Sequence, residues 1–366
     1  FFCGTNNYYF TRNNHLMIIT RTPFRITLGG GGTDLPSYYS QHGGFIFAMA
    51  ITHYMYVMTN PPTIDRKIRL HYTKSETVDH VSKLEHELAR EALRYNGIED
   101  KMEISSMADL PSGTGLGSSS CYLVGLLMAL NNYRRSYVPL QKLAEQACDI
   151  ELRILQKGVG KQDQYMAAFG GMTLLDIEKD GAVKVTALET SIGGISEFIA
   201  NTHLYYTGFR RDATVVLADQ DRAMKTSAPS MRGVVEDSLS KIKDLGYQLY
   251  DAIVEEDFDK WGYLTHEHWM LKKQLSSKVS ITKIDKLYEE VCKNHNVLGG
   301  KVVGAGGGGF LLLYCNKNHG QLERFMATQG MPRLHYSVEP EGCKVMGSYT
   351  SHRAFDSEFG SKGELV

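Results

Sequence analysis

Hydrophobic and polar positions change period several times along the chain, and each change marks an element. Residues 17–28 and 44–60 are dense in β-branched and aromatic side chains and predict two strands, with four successive glycines at 29–32 in the loop between them. Between 78 and 96, Val81, Leu84, Leu88 and Leu93 recur near helical spacing and Gly97 supplies a stop, which predicts one amphipathic helix. A short strand at 102–106 leads into a glycine and serine loop, and an apolar helix follows at 118–130. Leu140, Leu143, Ala147, Ile150 and Ile154 form a single stripe on a second helix at 139–155. The pattern restarts with a strand at 202–207 and helices near 212–225, 231–255 and 281–295. A glycine loop at 304–309 and a strand at 310–315 come next. Strands and helices mix in both halves without the regular alternation of a doubly wound sheet, so the predicted class is α+β.

Length and composition refine this picture only a little. At 366 residues the chain exceeds the size at which one core usually stops growing, and two domains are expected, 17–195 and 196–366, with a ligand cleft between them. The 40 basic and 41 acidic residues nearly cancel, which argues against a nucleic-acid partner and leaves any bound phosphate to a local site. The longest apolar stretch, 122–130, is far short of the ~20 residues needed to cross a bilayer. No charged-then-apolar leader opens the sequence, so a cytoplasmic protein without a membrane partner is expected. Cys3, Cys121, Cys148, Cys292, Cys315 and Cys343 are scattered with no C-x-x-C pair and read as reduced, buried thiols. Residues 1–16 show little periodicity ahead of Met17, and are expected to be a leader outside the native start.

Candidate chemistry begins at Asp109-Leu110-Pro111-Ser112-Gly113-Thr114-Gly115-Leu116-Gly117-Ser118-Ser119-Ser120. Glycines let backbone amides point into one concavity, and a helix starting near Ser118 adds free amides and a positive dipole end, which suits a di- or triphosphate. No Lys-Ser/Thr follows the glycines, so this is not a Walker loop, and its position does not suit the dinucleotide G-x-G-x-x-G. Pro111 followed by Gly115-Leu116-Gly117-Ser118-Ser119 resembles the phosphate loop of the GHMP kinases, with Ser120 where that motif often has alanine.

Two further motifs fall in the order this resemblance implies. Thr22-Pro23-Phe24-Arg25 through Gly31-Gly32-Thr33-Asp34-Leu35-Pro36 is similar to the opening segment of the sugar-kinase branch, in its heptose-7-phosphate kinase and fucokinase form. Glu151 and Asp163, twelve residues apart, match the magnesium-binding glutamate and the aspartate that faces the acceptor hydroxyl. A closing glycine motif at 304–309 resembles the hairpin that backs the phosphate loop.

The resemblance implies an N-terminal domain like ribosomal protein S5 domain 2, a ferredoxin-like C-terminal domain, and ATP with Mg2+ in the cleft. Residues 111, 113 and 115–120 (Pro111, Gly113, Gly115, Leu116, Gly117, Ser118, Ser119, Ser120) would hold ATP, with Ser119 and Glu151 on the metal. Asp163 would act as base or orienting group and Arg25 would offset charge. Gly31, Gly32, Thr33, Asp34, Arg211, Gly306 and Gly307 would meet the sugar, whose preferred identity is D-glycero-D-manno-heptose 7-phosphate, with L-fucose or a similar sugar second. A non-catalytic sugar sensor and a mevalonate-type or homoserine-type substrate are the remaining alternatives, and a homodimer is compatible with the chain.

Paired Arg210 and Arg211 suit a phosphate clamp or an exposed loop end equally. His266 and His268, two apart on a helix, cannot form a zinc pair, and Trp269 reads as core or as a sugar-stacking ring.

Overall fold

In the computed structural model the described residues are 16–189, 191–209, 213–225, 229–276 and 278–350. Among them the first sheet runs β12-β1-β2-β5-β3-β4, with β6 also on β2 and β7 on β6. Its strands are β1 (Leu16–Gly29), β2 (Gly44–Asn60), β3 (Ile68–His71), β4 (Ser75–Val78), β5 (Met102–Ala108), β6 (Met172–Ile177), β7 (Val183–Ala187) and β12 (Lys344–Thr350). The second sheet, β11-β8-β10-β9, is built from β8 (Thr202–Tyr206), β9 (Val297–Val302), β10 (Phe310–Cys315) and β11 (Arg333–Leu334), all antiparallel. The position 195/196 falls inside a helix, Ile192–Asn201, that lies in sequence between β7 and β8, while β12 returns from the far end to pair with β1. Local pattern carries no signal for that return.

β2 is long enough to serve two partners. Its residues 44–49 pair with β6 and 55–60 with β5, and a bulge opposite Pro23 and Phe24 of β1 separates the two stretches. Pro23 lies beyond the last β12 pair at Arg21, so its missing N–H leaves no ladder bond unmade on that edge.

Helices α1 (Pro36–His42), α2 (Glu87–Tyr95), α3 (Ser118–Tyr133), α4 (Leu140–Cys148) and α5 (Gln162–Phe169) belong to the first half. The second half adds α6 (Ile192–Asn201), α7 (Ala213–Lys225), α8 (Pro229–Val254), α9 (Phe258–Leu275), α10 (Thr282–Asn294) and α11 (His319–Thr328). The apolar helix α3 packs under β1 and β2 in the largest core, which continues through Trp261 and Tyr314 onto one face of the second sheet. The other face of that sheet packs on α10 through Leu313, Ile284 and Val291.

Two expected helices are divided differently. The 78–96 span holds the end of β4, one tight turn at Val81–Lys83, and then α2, because Leu84 and His86 are extended and His86 Nδ1 caps α2 from the Ala89 amide at 3.2 Å. The 139–155 helix is α4 followed by a wider π-type turn, Asp149–Ile154. An extra residue in the turn shifts the phase of the stripe, so Ile154 is 48% exposed while Glu151 is carried fully inside. Among the described residues no helix is long and apolar enough to cross a membrane.

Trp261 of α9 is fully buried, edge-on to Phe198 of α6 at 4.8 Å and to Tyr314 of β10 at 6.0 Å, and so joins the second sheet to the main core. Trp261→Ala is expected to cost about 3–5 kcal/mol by loss of transfer energy and cavity formation. Equilibrium denaturation of the two proteins checks it, with Trp261→Phe losing much less.

Candidate active site

The loop after β5 leads into α3, where Gly117 takes up the left-handed region at φ 84° and no side chain caps the first turn. The leading amides of α3 are thereby left for a ligand, at the positive end of the helix dipole. Pro111, Gly113, Gly115, Gly117, Ser118 and Ser119 line a cleft of about 1040 Å³, large enough for a nucleotide and a sugar together. Leu116 and Ser120 stand off its wall. The Leu116 side chain is in the core, and its carbonyl accepts the Arg25 amide at 3.2 Å, while Ser120 turns inward and donates to Glu151 Oε2 at 2.7 Å.

The second glycine loop lies on the first, backbone to backbone. A Cβ on Gly115 would stand 2.7 Å from the Val303 carbonyl oxygen, and one on Gly304 would stand 2.5 Å from that of Gly115. Gly304 and Ala305 reach the cleft. Gly306 and Gly307, expected at the substrate, instead pack on Val279, whose carbonyl accepts the Gly307 amide at 2.6 Å.

Arg25 of β1 and Asp163 of α5 meet at the head of this loop. Arg25 Nε donates to Asp163 Oδ1 at 2.7 Å, Nη2 lies 2.6 Å from the same oxygen, and Nη1 donates to the Gly115 carbonyl at 2.6 Å. Gln162 Nε2 adds a third bond to Oδ1 at 3.2 Å. Oδ2 faces Gly117, with no bond to it among the described residues.

Asp34 follows the glycine run and is buried beside Gly31 and Gly32 in the cleft lining. The Gln162 and Gly32 amides donate to its two oxygens at 3.1 and 3.3 Å. Burial pushes its carboxyl pKa up; the Gln162 amide opposes this and the charge of Asp163 adds to it. Gly160 approaches so closely that a Cβ there would lie 1.9 Å from Asp34 Oδ2. Thr33 is structural instead: its hydroxyl lies 2.7 Å from the Phe45 carbonyl and accepts the Phe45 amide at 3.0 Å.

Glu151 is fully buried, held by Ser120 and by Gln164 Nε2 at 2.6 Å, with Ser119 Oγ 3.4 Å from its Oε1. Burial raises its pKa, opposed by those hydroxyl and amide bonds and by Lys157. A carboxylate and a hydroxyl at a helix N-terminus suit a hard cation that takes its other ligands from phosphate. Among the described residues no three His, Cys, Asp or Glu side chains form a protein-only cage.

Arg210 and Arg211 lie outside the described residues. Trp269 is fully buried in the second core and is no stacking surface, while His266 bonds Tyr288 at 2.9 Å and His268 is buried on its own. Motif spacing did not single out Gln162, Gln220, whose Nε2 holds the Gly32 carbonyl at 2.9 Å, or Lys272, all in the cleft lining. It also passed over the aromatic wall of Tyr72, His86 and Tyr122, whose neighbouring rings lie 4.7 and 5.1 Å apart. The available signal was the polar set Thr265, His268 and Lys272 at helical spacing with Trp261 on α9.

Gly304→Ala would place a Cβ at φ +75° against the Gly115 carbonyl. It is expected to destabilise the protein by at least about 1–2 kcal/mol, the left-handed backbone term alone. Chemical denaturation measures this, and Gly330→Ala, with φ +70° and open space around it, isolates the strain from the overlap.

Residues 79–171 match the GHMP kinases N terminal domain and residues 249–329 the GHMP kinases C terminal domain. Over 347 residues the chain is 26% identical to a D-glycero-alpha-D-manno-heptose 7-phosphate kinase of Campylobacter jejuni, covering 89% of this chain and 98% of that one. It is 27% identical over 332 residues to an L-fucokinase/L-fucose-1-P guanylyltransferase of Bacteroides fragilis, covering 80% of this chain and 34% of that longer protein. The fold is shared with a D-glycero-D-manno-heptose 1-phosphate kinase from Bacteroides thetaiotaomicron, with a TM-score of 0.73 at 21% identity over 92% of this chain and 99% of that one. A Lactococcus lactis galactokinase complexed with galactose gives 0.71 at 17% identity over 90% and 95%. Both family domains occur here in order on the two-domain fold of these kinases, and the chain belongs to the GHMP kinases.

Proposed function

We propose that the chain transfers the γ-phosphoryl group of ATP to the anomeric hydroxyl of D-glycero-D-manno-heptose 7-phosphate. The observation that carries a phosphoryl-transfer reading is the Arg25–Asp163 pair at 2.7 Å, set between the free amides of α3 and the buried Asp34.

Each residue then has a physical task. The loop amides at 113–119 would hold the phosphates, and the aromatic wall of Tyr72, His86 and Tyr122 would supply apolar surface for the base. Ser119 and Glu151 would hold Mg2+, which when bound offsets the charge of the β and γ phosphates. Arg25 and Gln162 fix Asp163 through Oδ1, which leaves Oδ2 for the acceptor hydroxyl, to orient it and accept its proton. Asp34, with both oxygens already held by amides, is aligned to take further bonds from sugar hydroxyls, and Gly31 and Gly32 let a polyol approach the backbone.

The heptose reading is supported by the Campylobacter relative, matched over nearly its whole length. L-fucose is the second reading, favoured by the Bacteroides fragilis relative.

ADP release measured with a panel of free and phosphorylated sugars tests both. Asp163→Ala is expected to lower kcat by about 10²- to 10⁴-fold with nucleotide binding retained. Absence of turnover by the wild-type protein on every sugar would sink the kinase reading. Faster turnover of L-fucose than of the heptose phosphate would replace the first substrate by the second.

A further inference from the structure

We propose that Lys272 is an anion-holding residue of this cleft, whose ammonium leaves the Gly304 carbonyl to pair with a phosphate oxygen of bound substrate. The phosphate belongs either to the donor, as the group in transfer, or to a phosphorylated acceptor. The proposal deepens the kinase reading and rests on it.

Lys272 is 7% exposed and lies in the cleft lining on α9. Its Nζ donates to the Gly304 carbonyl, a neutral acceptor. Among the described residues it has no carboxylate at ion-pair distance, whereas the two other Arg and Lys side chains of the cleft lining are paired. Arg25 is met by Asp163, and Lys157, also in the lining, reaches Glu87 at 4.0 Å. Lys301 of β9 also has only a carbonyl partner, that of Leu28 at 2.6 Å, but it is buried away from the cleft lining where no ligand reaches it. A buried ammonium without a counter-charge is a cost that an apolar side chain at 272 would avoid, so the fold alone does not account for it.

Its position favours an anion. Gly304, which it holds, touches Gly115, and the Gly115 carbonyl accepts Arg25 Nη1 at 2.6 Å. The two cations therefore stand on either side of a single glycine contact, at the mouth of the phosphate loop. The charged and titratable groups around Lys272 are Arg25 from β1, Asp34 from the loop after it, Lys301 from β9 and His268 one turn back on α9. Burial, reinforced by Arg25 and opposed by Asp34, brings the Lys272 pKa down to about 8. His268 is pushed well below its ordinary value by burial and by both lysines, so it adds no charge, and neither of its ring nitrogens has a partner among the described residues. An arriving phosphate supplies the counter-charge this group lacks.

Lys272→Met keeps the length of the side chain and removes the charge, and Lys272→Arg keeps the charge. Lys272→Met is expected to lower kcat/KM by ~10- to 100-fold, the worth of one hydrogen bond to a charged group, with most of the loss restored in Lys272→Arg. Because the ammonium must be protonated to hold an anion, wild-type kcat/KM should fall about tenfold per unit as pH rises past about 8. The arginine variant should lack that limb. Equal loss on free and phosphorylated sugars assigns Lys272 to the transferred group, and a raised KM confined to phosphorylated sugars assigns it to the acceptor. Kinetics within twofold of wild type on both, with the alkaline limb intact in Lys272→Met, would overturn the proposal.

A second measurement needs no turnover. Tripolyphosphate and glucose 6-phosphate should each be tried as thermal-shift probes, and at least one should raise the Tm of the wild type but not of Lys272→Met. The unliganded Tm of that variant is expected at or above wild type. Equal stabilisation of both proteins by the probes counts against Lys272 even in an active enzyme. A probe difference without turnover on any sugar counts against the kinase reading and leaves the anion site standing.

Discussion

The contact on which this cleft depends is made by main chain alone. Gly115 meets Val303 and Gly304, and Gly309 comes so near Thr114 that a Cβ there would lie 2.2 Å from its carbonyl oxygen. Side chains would hold the two loops apart, and with them the second sheet from the start of α3. With glycine at these points the Gly115 and Gly304 carbonyls become fixed acceptors, and Arg25 and Lys272 each hang on one of them. The placement of positive charge in the site is thus inherited from a backbone contact, which is stiffer than any arrangement of long side chains could make it.

Among the described residues, two of the three cleft carboxylates are arranged on the opposite plan, Asp163 being the one paired with a guanidinium. Glu151 and Asp34 are buried, yet their close partners are hydroxyls, amides and backbone N–H groups rather than ammonium or guanidinium groups. Neutral donors fix the orientation of a carboxylate without cancelling its charge, so its remaining lone pairs keep their attraction for a cation or a sugar hydroxyl. The raised pKa of both groups expresses the same tension, since burial alone would favour the protonated forms. Stability is given up at these positions for readiness to bind.

Much of this was legible from residue order because glycine and acidic residues at set spacings have few structural uses. The strand and glycine pattern at 17–60, the loop at 109–120 and the pairing of Glu151 with Asp163 all led to the cleft. Period counting failed where a local bond overrode it. His86 capping from its own ring starts α2 late, and the π-type turn at 149–154 rotates the 139–155 stripe so that the acid rather than Ile154 is enclosed. The return of β12 to β1 and the seating of Gln162 and Gln220 in the cleft depend on contacts more than a hundred residues apart, and that of Lys272 on one 32 residues away across α10 and β9, for which spacing has no period. Thr33, Gly306 and Gly307 show the converse: a motif places residues near a site without deciding which of them face it.

The lack of a lysine within the phosphate loop acquires a structural sense from these placements. Where the loop carries no cation of its own, positive charge has to arrive from elsewhere, and here it comes from β1 through Arg25 and from α9 through Lys272. Those elements lie on opposite sides of the glycine contact, so the full charge exists only while the two loops are together. Binding of a polyanion and apposition of the two halves are therefore linked: whatever stabilises one stabilises the other by the same free energy.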